Sequence, residues 1–263
     1  MLDLVNNTIS APPGKHPVVL TFDDSSSRQF RLRKDAGGLL KVDPKTMVGI
    51  MEAMFARHPD FGRGGVFAVV AAKCFQYDAE EVDCRTRLRW LVEHGYEVAN
   101  YTWTHENLHT VSDERFMKEV GATKVWIDSH LEGETKGNLS NILVLPFGEW
   151  PHNDQQVSWM KNTFQYEGEE IRFLAIVEVS GGAGPSPSSG DWNRRSVRRV
   201  NTEPEVWDRM TAAFESGTMT FFTSDGDPGT VAIPNEIPGD IADEFGPDWA
   251  QAFDMVLIRY DAP

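Results

Sequence analysis

The chain has 2 cysteines in 263 residues. Cys74 and Cys84 make no disulfide framework, and a ten-residue spacing is no metal motif, so they leave the compartment open. Basic charge is scarce as well. Twenty-five Lys and Arg stand against 40 Asp and Glu, a net charge of −15. That balance argues against a nucleic-acid surface, which needs clustered cations. The one basic cluster, Arg194, Arg195, Arg198 and Arg199, reads as a local surface feature. No apolar run approaches the ~20 residues that cross a bilayer. Residues 1–7 carry neither the basic region nor the apolar core of a signal peptide. Without such a signal the expectation is a cytoplasmic protein, or a chain that lacks its export signal. Internal repeats are absent too, and nothing fixes the oligomeric state.

What is present is enough for one large α/β domain, with 40% apolar residues. Residues 1–16 read as an N-terminal extension and 17–263 as a single domain. The organising stretch is 17–24, Pro-Val-Val-Leu-Thr-Phe-Asp-Asp. Its apolar run predicts a buried strand that ends in two adjacent carboxylates, followed by Ser25-Ser26-Ser27. In α/β proteins chemistry gathers beyond the carboxyl ends of strands.

Strands are then expected over 66–70, 96–101, 141–145 and 173–179, with further strands over 218–223 and 255–260. Helices are expected from Asp43-Pro44, from Asp78, from Ser112 and over 154–163. Thr202-Glu203-Pro204-Glu205 has capping-box spacing for one more. Residues 181–191, rich in Gly, Pro and Ser, read as a loop. Residues 225–229 have the composition of a calcium loop without its later glutamate, and read as a turn. Strands alternating with helices imply a parallel sheet or barrel.

Three stretches fall in order at strand ends: Thr21-Phe22-Asp23-Asp24; Gly95-Tyr96-Glu97-Val98-Ala99-Asn100-Tyr101-Thr102-Trp103-Thr104-His105; and Leu145-Pro146-Phe147-Gly148. Together they resemble the polysaccharide deacetylases of the NodB-homology family, carbohydrate esterase family 4. The resemblance covers residues 17–150 well and the rest loosely. It implies a distorted (β/α) barrel with fewer than eight regular strands. It also implies metal-assisted hydrolysis of N- or O-acetyl groups on a polysaccharide, with zinc the usual metal, in an extracellular or cell-envelope setting. By that resemblance Asp23 is the general base, and Asp24 and His105 are metal ligands. Pro146, Phe147, Gly148 and Trp103 are substrate contacts. A metal with open positions polarises a carbonyl and activates water, and a neighbouring carboxylate takes the proton.

Three departures stand out. Tyr101 occupies the place of the family's first metal histidine, and a phenol with pKa near 10 is a poor zinc ligand. Val144 and Leu145 stand where the family carries an arginine. The family's late catalytic histidine has no counterpart, since the last histidine here is His152. His152 and Arg199 are the nearest substitutes in motif order.

Two rival readings compete. His105-Glu106-Asn107-Leu108-His109 matches the His-Glu-x-x-His of zinc proteases, which requires a helix. His109 is also a stand-in metal ligand if its loop folds back. The other rival is a deacetylase-fold protein that binds glycans without cutting them, with Trp103, Trp150, Trp159 and Trp192 as flat faces for sugars.

Overall fold

The computed structural model describes residues 2–3, 8–9, 11, 13–76, 82–131, 140–184, 193–218, 224, 226, 227, 230–235 and 256–260. The chain forms two compact units, Leu20–Val177 and the combination of Met1–Val19 with Glu178–Pro263.

In Leu20–Val177, five strands lie side by side in chain order: β1 (Thr21–Phe22), β2 (Val66–Val69), β3 (Glu97–Asn100), β4 (Ile142–Val144) and β5 (Ala175–Gly181, of which the first three residues lie in this unit). Every neighbouring pair is parallel. Helices α1 (Met47–Arg57), α2 (Cys84–Glu93) and α4 (Asp154–Lys161) fall between and after the strands. The remaining helix, α3, has three consecutive parts: α-helical Asp113–Phe116, π-helical Met117–Ala122 and α-helical Thr123–Leu131. The result is a parallel, curled half-barrel sheet with fewer than eight regular strands, the distorted (β/α) barrel that the resemblance implied.

Each residue of β2 and β4 is buried, as in strands covered on both faces. One core cluster joins Phe30, Val48, Phe67, Phe75, Leu88 and Tyr96. A second joins Leu108, Phe116, Leu143, Met160, Phe164 and Phe173. The rings of Phe22 and Phe67 stack at 4.8 Å between β1 and β2. Because the strands are parallel, the segments following them leave along one edge. That edge collects Asp23-Asp24, residues 71–75, residues 101–105 and Pro146–Gly148.

Several local expectations are corrected. β1 is two residues long, and Val18 and Val19, expected inside it, are exposed. α1 is capped not by Asp43 but by Thr46, whose hydroxyl accepts from the Gly49 N–H at 3.3 Å. Asp43 is buried and pairs with Arg33 at 2.9 Å and Arg31 at 3.5 Å; a bond from the Lys45 N–H at 3.0 Å, helped by the charges of Arg31 and Arg33, holds its carboxyl below the usual range. α2 begins after Asp83, whose carboxylate accepts from the Thr86 N–H at 2.7 Å, while Asp78 lies outside the described residues. Two antiparallel hairpins were not anticipated, Leu32–Lys34 with Leu40–Val42 and Thr163–Tyr166 with Glu169–Arg172. The second turns through Glu167 and Gly168, both at positive φ, where the sequence offered no Asn-Gly signal.

In the other unit, helix α5 (Pro204–Glu215) starts at Glu203, with proline in its first turn and no side-chain cap. The expected Thr202 capping box is therefore not formed. Strand Val256–Tyr260 pairs in parallel with Thr230–Pro234, a strand not among those expected from the sequence. Of the strand expected over 218–223, residues 219–223 lie outside the described residues. Among the described residues, no helix is long and apolar enough to cross a membrane.

Cys74 and Cys84 form a disulfide, Cα atoms 5.9 Å apart, a pairing that their number and spacing did not indicate. The bridge ties the segment after β2 to the start of α2. Arg87, 1% exposed, adds to this tie by donating to the Cys74 carbonyl at 2.6 Å and to the Val82 carbonyl. Removing the cross-link lengthens the conformational menu of the unfolded chain. A Cys74→Ser/Cys84→Ser protein should lose about 2–3 kcal/mol of stability, a fall in Tm of roughly 5–10 °C by calorimetry. An unchanged Tm would show that the bridge does not constrain this unit.

Candidate active site

The site grows from the turn that follows β3. Asn100, at the strand end and fully buried, donates through Nδ2 to the Val120 carbonyl at 2.9 Å and accepts from the Thr102 N–H at 2.9 Å. Thr102 then lies at φ 64°, and its hydroxyl accepts from the His105 N–H at 3.1 Å. His105 itself lies at φ 65°. Across the edge, Asp24 follows β1 at φ 77° and Phe147 follows β4 at φ 60°. Non-glycine residues at positive φ are uncommon, and such strain gathers at functional sites. Four of them belong to the three motifs picked out from sequence.

The structure brings Asp24 and His105 together. Asp24 Oδ1 lies 3.6 Å from His105 Nε2. Burial pushes the imidazole pKa below its usual value, against the opposing pull of Asp24 and Asp23, with Lys73 adding to the depression. The ring is thus neutral at neutral pH, and a 3.6 Å contact is then neither ion pair nor hydrogen bond. His105 Nε2 is indeed buried with no hydrogen-bond partner. A buried imidazole nitrogen without a partner costs free energy unless something else meets it. Two ligands each about 2.0–2.1 Å from a tetrahedral zinc stand roughly 3.4 Å apart. The donor types and their separation therefore fit a shared divalent cation.

The donor set is small. Among the described residues, no three His, Cys, Asp or Glu side chains are grouped so as to hold a metal. Tyr101 is 4% exposed, and its ring meets that of His105 edge-on, with centroids 4.6 Å apart. Phe147 covers the imidazole from another side at 4.7 Å and is itself 57% exposed. Pro146 is buried, and the Gly148 N–H closes the turn on the Leu145 carbonyl at 3.0 Å. Trp103 is half-buried against Trp126, and its carbonyl accepts from the Ala72 N–H at 2.9 Å. The carbonyl of Asp23 accepts from the Gln29 side chain.

The other candidates go elsewhere. His109 is exposed and donates through Nδ1 to the Trp150 carbonyl at 2.9 Å. Its ring lies 5.4 Å from that of His152, whose N–H donates to the His109 carbonyl. Of the His-Glu-x-x-His stretch only Leu108 and His109 are helical, within the single 3₁₀ turn Leu108–Thr110, and Glu106 pairs with Arg115. The protease geometry, two histidines on one α-helical face, is not formed. Arg199 belongs to the other unit and donates through Nε to the Glu178 carbonyl at 2.5 Å. Trp192 lies outside the described residues.

Sequence reasoning missed Glu119 and Arg115. Glu119 is fully buried, and its carboxylate takes the Thr104 N–H at 2.8 Å, the Thr104 hydroxyl at 2.7 Å and Arg115 at 2.9 Å. A signal existed in the spacing: Glu119 falls three residues after Phe116 and four before Thr123, both fully buried on α3.

Residues 67–162 match the family model described as polysaccharide deacetylase. Among curated proteins, none matches the chain. Similar solved structures include a deacetylase of Streptococcus pyogenes in complex with acetate, at 16% identity, 73% of this chain, 69% of that one and a TM-score of 0.45. Another is a polysaccharide deacetylase from Bacillus cereus, at 15% identity, 73% of this chain and a TM-score of 0.46, of which this chain spans 50%. A third is a family 4 acetyl xylan esterase from Clostridium thermocellum with a cobalt ion, at 16% identity, 78% and 86% coverage and a TM-score of 0.37. The segment running from β2 to just past α4, residues 67–162, is thus the part of this chain that carries the likeness to polysaccharide deacetylases.

Proposed function

We propose that this chain hydrolyses acetyl groups on a polysaccharide or oligosaccharide, using a divalent cation, zinc by preference, held by Asp24 and His105. One observation carries the reading: a buried, unpartnered imidazole nitrogen 3.6 Å from a carboxylate oxygen at the carboxyl edge of a parallel sheet. A cation bound there supplies Lewis acidity toward an acetyl carbonyl and toward water. Asp23, next in sequence, is the base that accepts the proton. Phe147, exposed beside His105, and Trp103 offer flat apolar faces to a sugar ring. Burial lowers the His105 pKa and so favours the neutral imidazole, whose lone pair a cation needs. The Cys74–Cys84 bridge supports an extracellular or cell-envelope location, where disulfides persist.

A second reading, glycan binding without cleavage, is favoured by one specific feature. Tyr101 stands where the family has a histidine, so the site has two donors where catalytic zinc sites have three. Calorimetric titration of metal-free protein with zinc, followed by acetate release from acetylated chitin oligomers, xylan and peptidoglycan fragments, separates the two. The expected result is weak uptake of one zinc, lost in Asp24→Ala and His105→Ala, with zinc-dependent acetate release. Binding of an oligomer without acetate release would favour the second reading. Absence of zinc uptake would sink the cation assignment.

A further inference from the structure

We propose that Glu119, on the π-helical part of α3, is a positioning residue that holds His105 in the site through Thr104. The proposal rests on the reading that Asp24 and His105 face a cation, but its geometry stands apart from that. The turn carrying His105 is fastened at both ends to one short stretch, Met117–Ala122. At its start, Asn100 reaches the Val120 carbonyl. Near its end, both hydrogen-bonding groups of Thr104 meet the Glu119 carboxylate, at 2.8 and 2.7 Å. Arg115 braces this second anchor, donating to the Thr104 hydroxyl at 3.1 Å while pairing with Glu119 and Glu106.

The turn needs such bracing. Thr102 and His105 both hold positive φ, a conformation that costs of order 1–3 kcal/mol each and persists only where the surroundings over-determine it. A β-branched threonine there is a genuine outlier. The bracing stretch is itself fixed. A Cβ on Gly121 would meet the Tyr166 ring at 2.8 Å, so the π-helical backbone lies close against the Thr163–Tyr166 strand. A π-helical segment shifts the residues beyond it relative to a regular α-helix, and such segments recur at functional sites. Here it brings a carboxylate and a backbone carbonyl, on adjacent residues, to the two ends of one turn. A fully buried carboxylate is costly unless its oxygens are all satisfied. The groups that satisfy this one belong to the turn bearing His105 and to Arg115.

The test is a position readout that needs no metal. In the full, isotopically labelled chain, the His105 ring protons feel ring currents from Tyr101 at 4.6 Å and Phe147 at 4.7 Å. Glu119→Gln and Thr104→Val should move those resonances toward unstacked values, and Thr104→Ser should keep them. Asp128→Asn is the control. It removes the charge that pairs with Lys124 further along α3 and leaves the Ser140 N–H only a neutral amide oxygen, so it should lower stability without moving the His105 signals. Zinc affinity should fall about 10- to 100-fold in Glu119→Gln, the range for groups that orient a metal ligand. Unmoved His105 resonances in both Glu119→Gln and Thr104→Val would overturn the proposal. If Glu119→Gln does not fold, Thr104→Val decides. Moved resonances in a chain that binds no zinc would leave the positioning role standing and remove the cation reading.

Discussion

Replacing Asp23 by asparagine should abolish acetate release while leaving zinc uptake within a few-fold of the unmodified chain. Asp23 and Asp24 are neighbours at the end of β1, yet the chemistry asks different things of them. Asp24 lies 3.6 Å from the His105 nitrogen that is buried and unpartnered, and is placed to ligate. Asp23 is close enough to act electrostatically on the same imidazole, but more weakly than Asp24. Its backbone is held by the Gln29 side chain, so the loop does not depend on the Asp23 carboxylate for that contact. A group that only receives a proton contributes to the barrier and not to coordination. Its amide isostere should therefore cost the ~10²–10⁴-fold typical of general-base removal. Thermal unfolding and zinc calorimetry on the same sample check that fold and site persist. Activity within a few-fold of the unmodified chain would show that the base lies elsewhere. Loss of zinc along with activity would make Asp23 a ligand.

How much of this was legible beforehand depends on the range of the interaction. The parallel sheet was legible, because β2 and β4 are buried throughout and read as unbroken apolar runs. The motif residues were legible because each sits directly after a strand, where a parallel sheet delivers it to one edge. Asp24 and His105 meet there, 81 residues apart in sequence. The supporting contacts were not legible. Whether Glu119 points at Thr104 depends on the π-helical register of α3, and no side-chain periodicity encodes that extra residue. The pairing of His109 with His152 needed the path of the loop after β4. The Cys74–Cys84 bridge needed β2 and α2 to be neighbours already. Caps failed for a different reason. Asp43 and Thr46 are both good capping residues three apart, and the Arg31 and Arg33 pairs engage Asp43 and leave Thr46 to start α1.

Restoring histidine at position 101 should raise zinc affinity by ~100-fold or more, since a direct ligand should outweigh the 10–100-fold of an orienting group. The site as it stands offers an imidazole and a carboxylate, one protein ligand short of a catalytic zinc site. Tyr101 is buried, with its ring edge-on to His105 at 4.6 Å, and its N–H donates to the Val69 carbonyl at 3.0 Å. That backbone bond does not involve the side chain, so the substitution leaves the strand end as it is. An imidazole is smaller than a phenol ring and fits the space. Its nitrogens start from the place of a ring already in contact with His105. The phenol, with pKa near 10, would have to lose a proton to match it as a donor. Tyr101→His, checked by circular dichroism and titrated with zinc, should bind tightly enough to keep metal through purification. Acetate release should rise with affinity if another group supplies the acid. It should stay absent if the family's late histidine, missing here, is indispensable. Those two results distinguish a weakened enzyme from a glycan-binding protein that keeps the fold. Unchanged zinc affinity in a folded Tyr101→His chain would mean that position 101 does not face the cation, and the assignment of Asp24 and His105 as its ligands would fall with it.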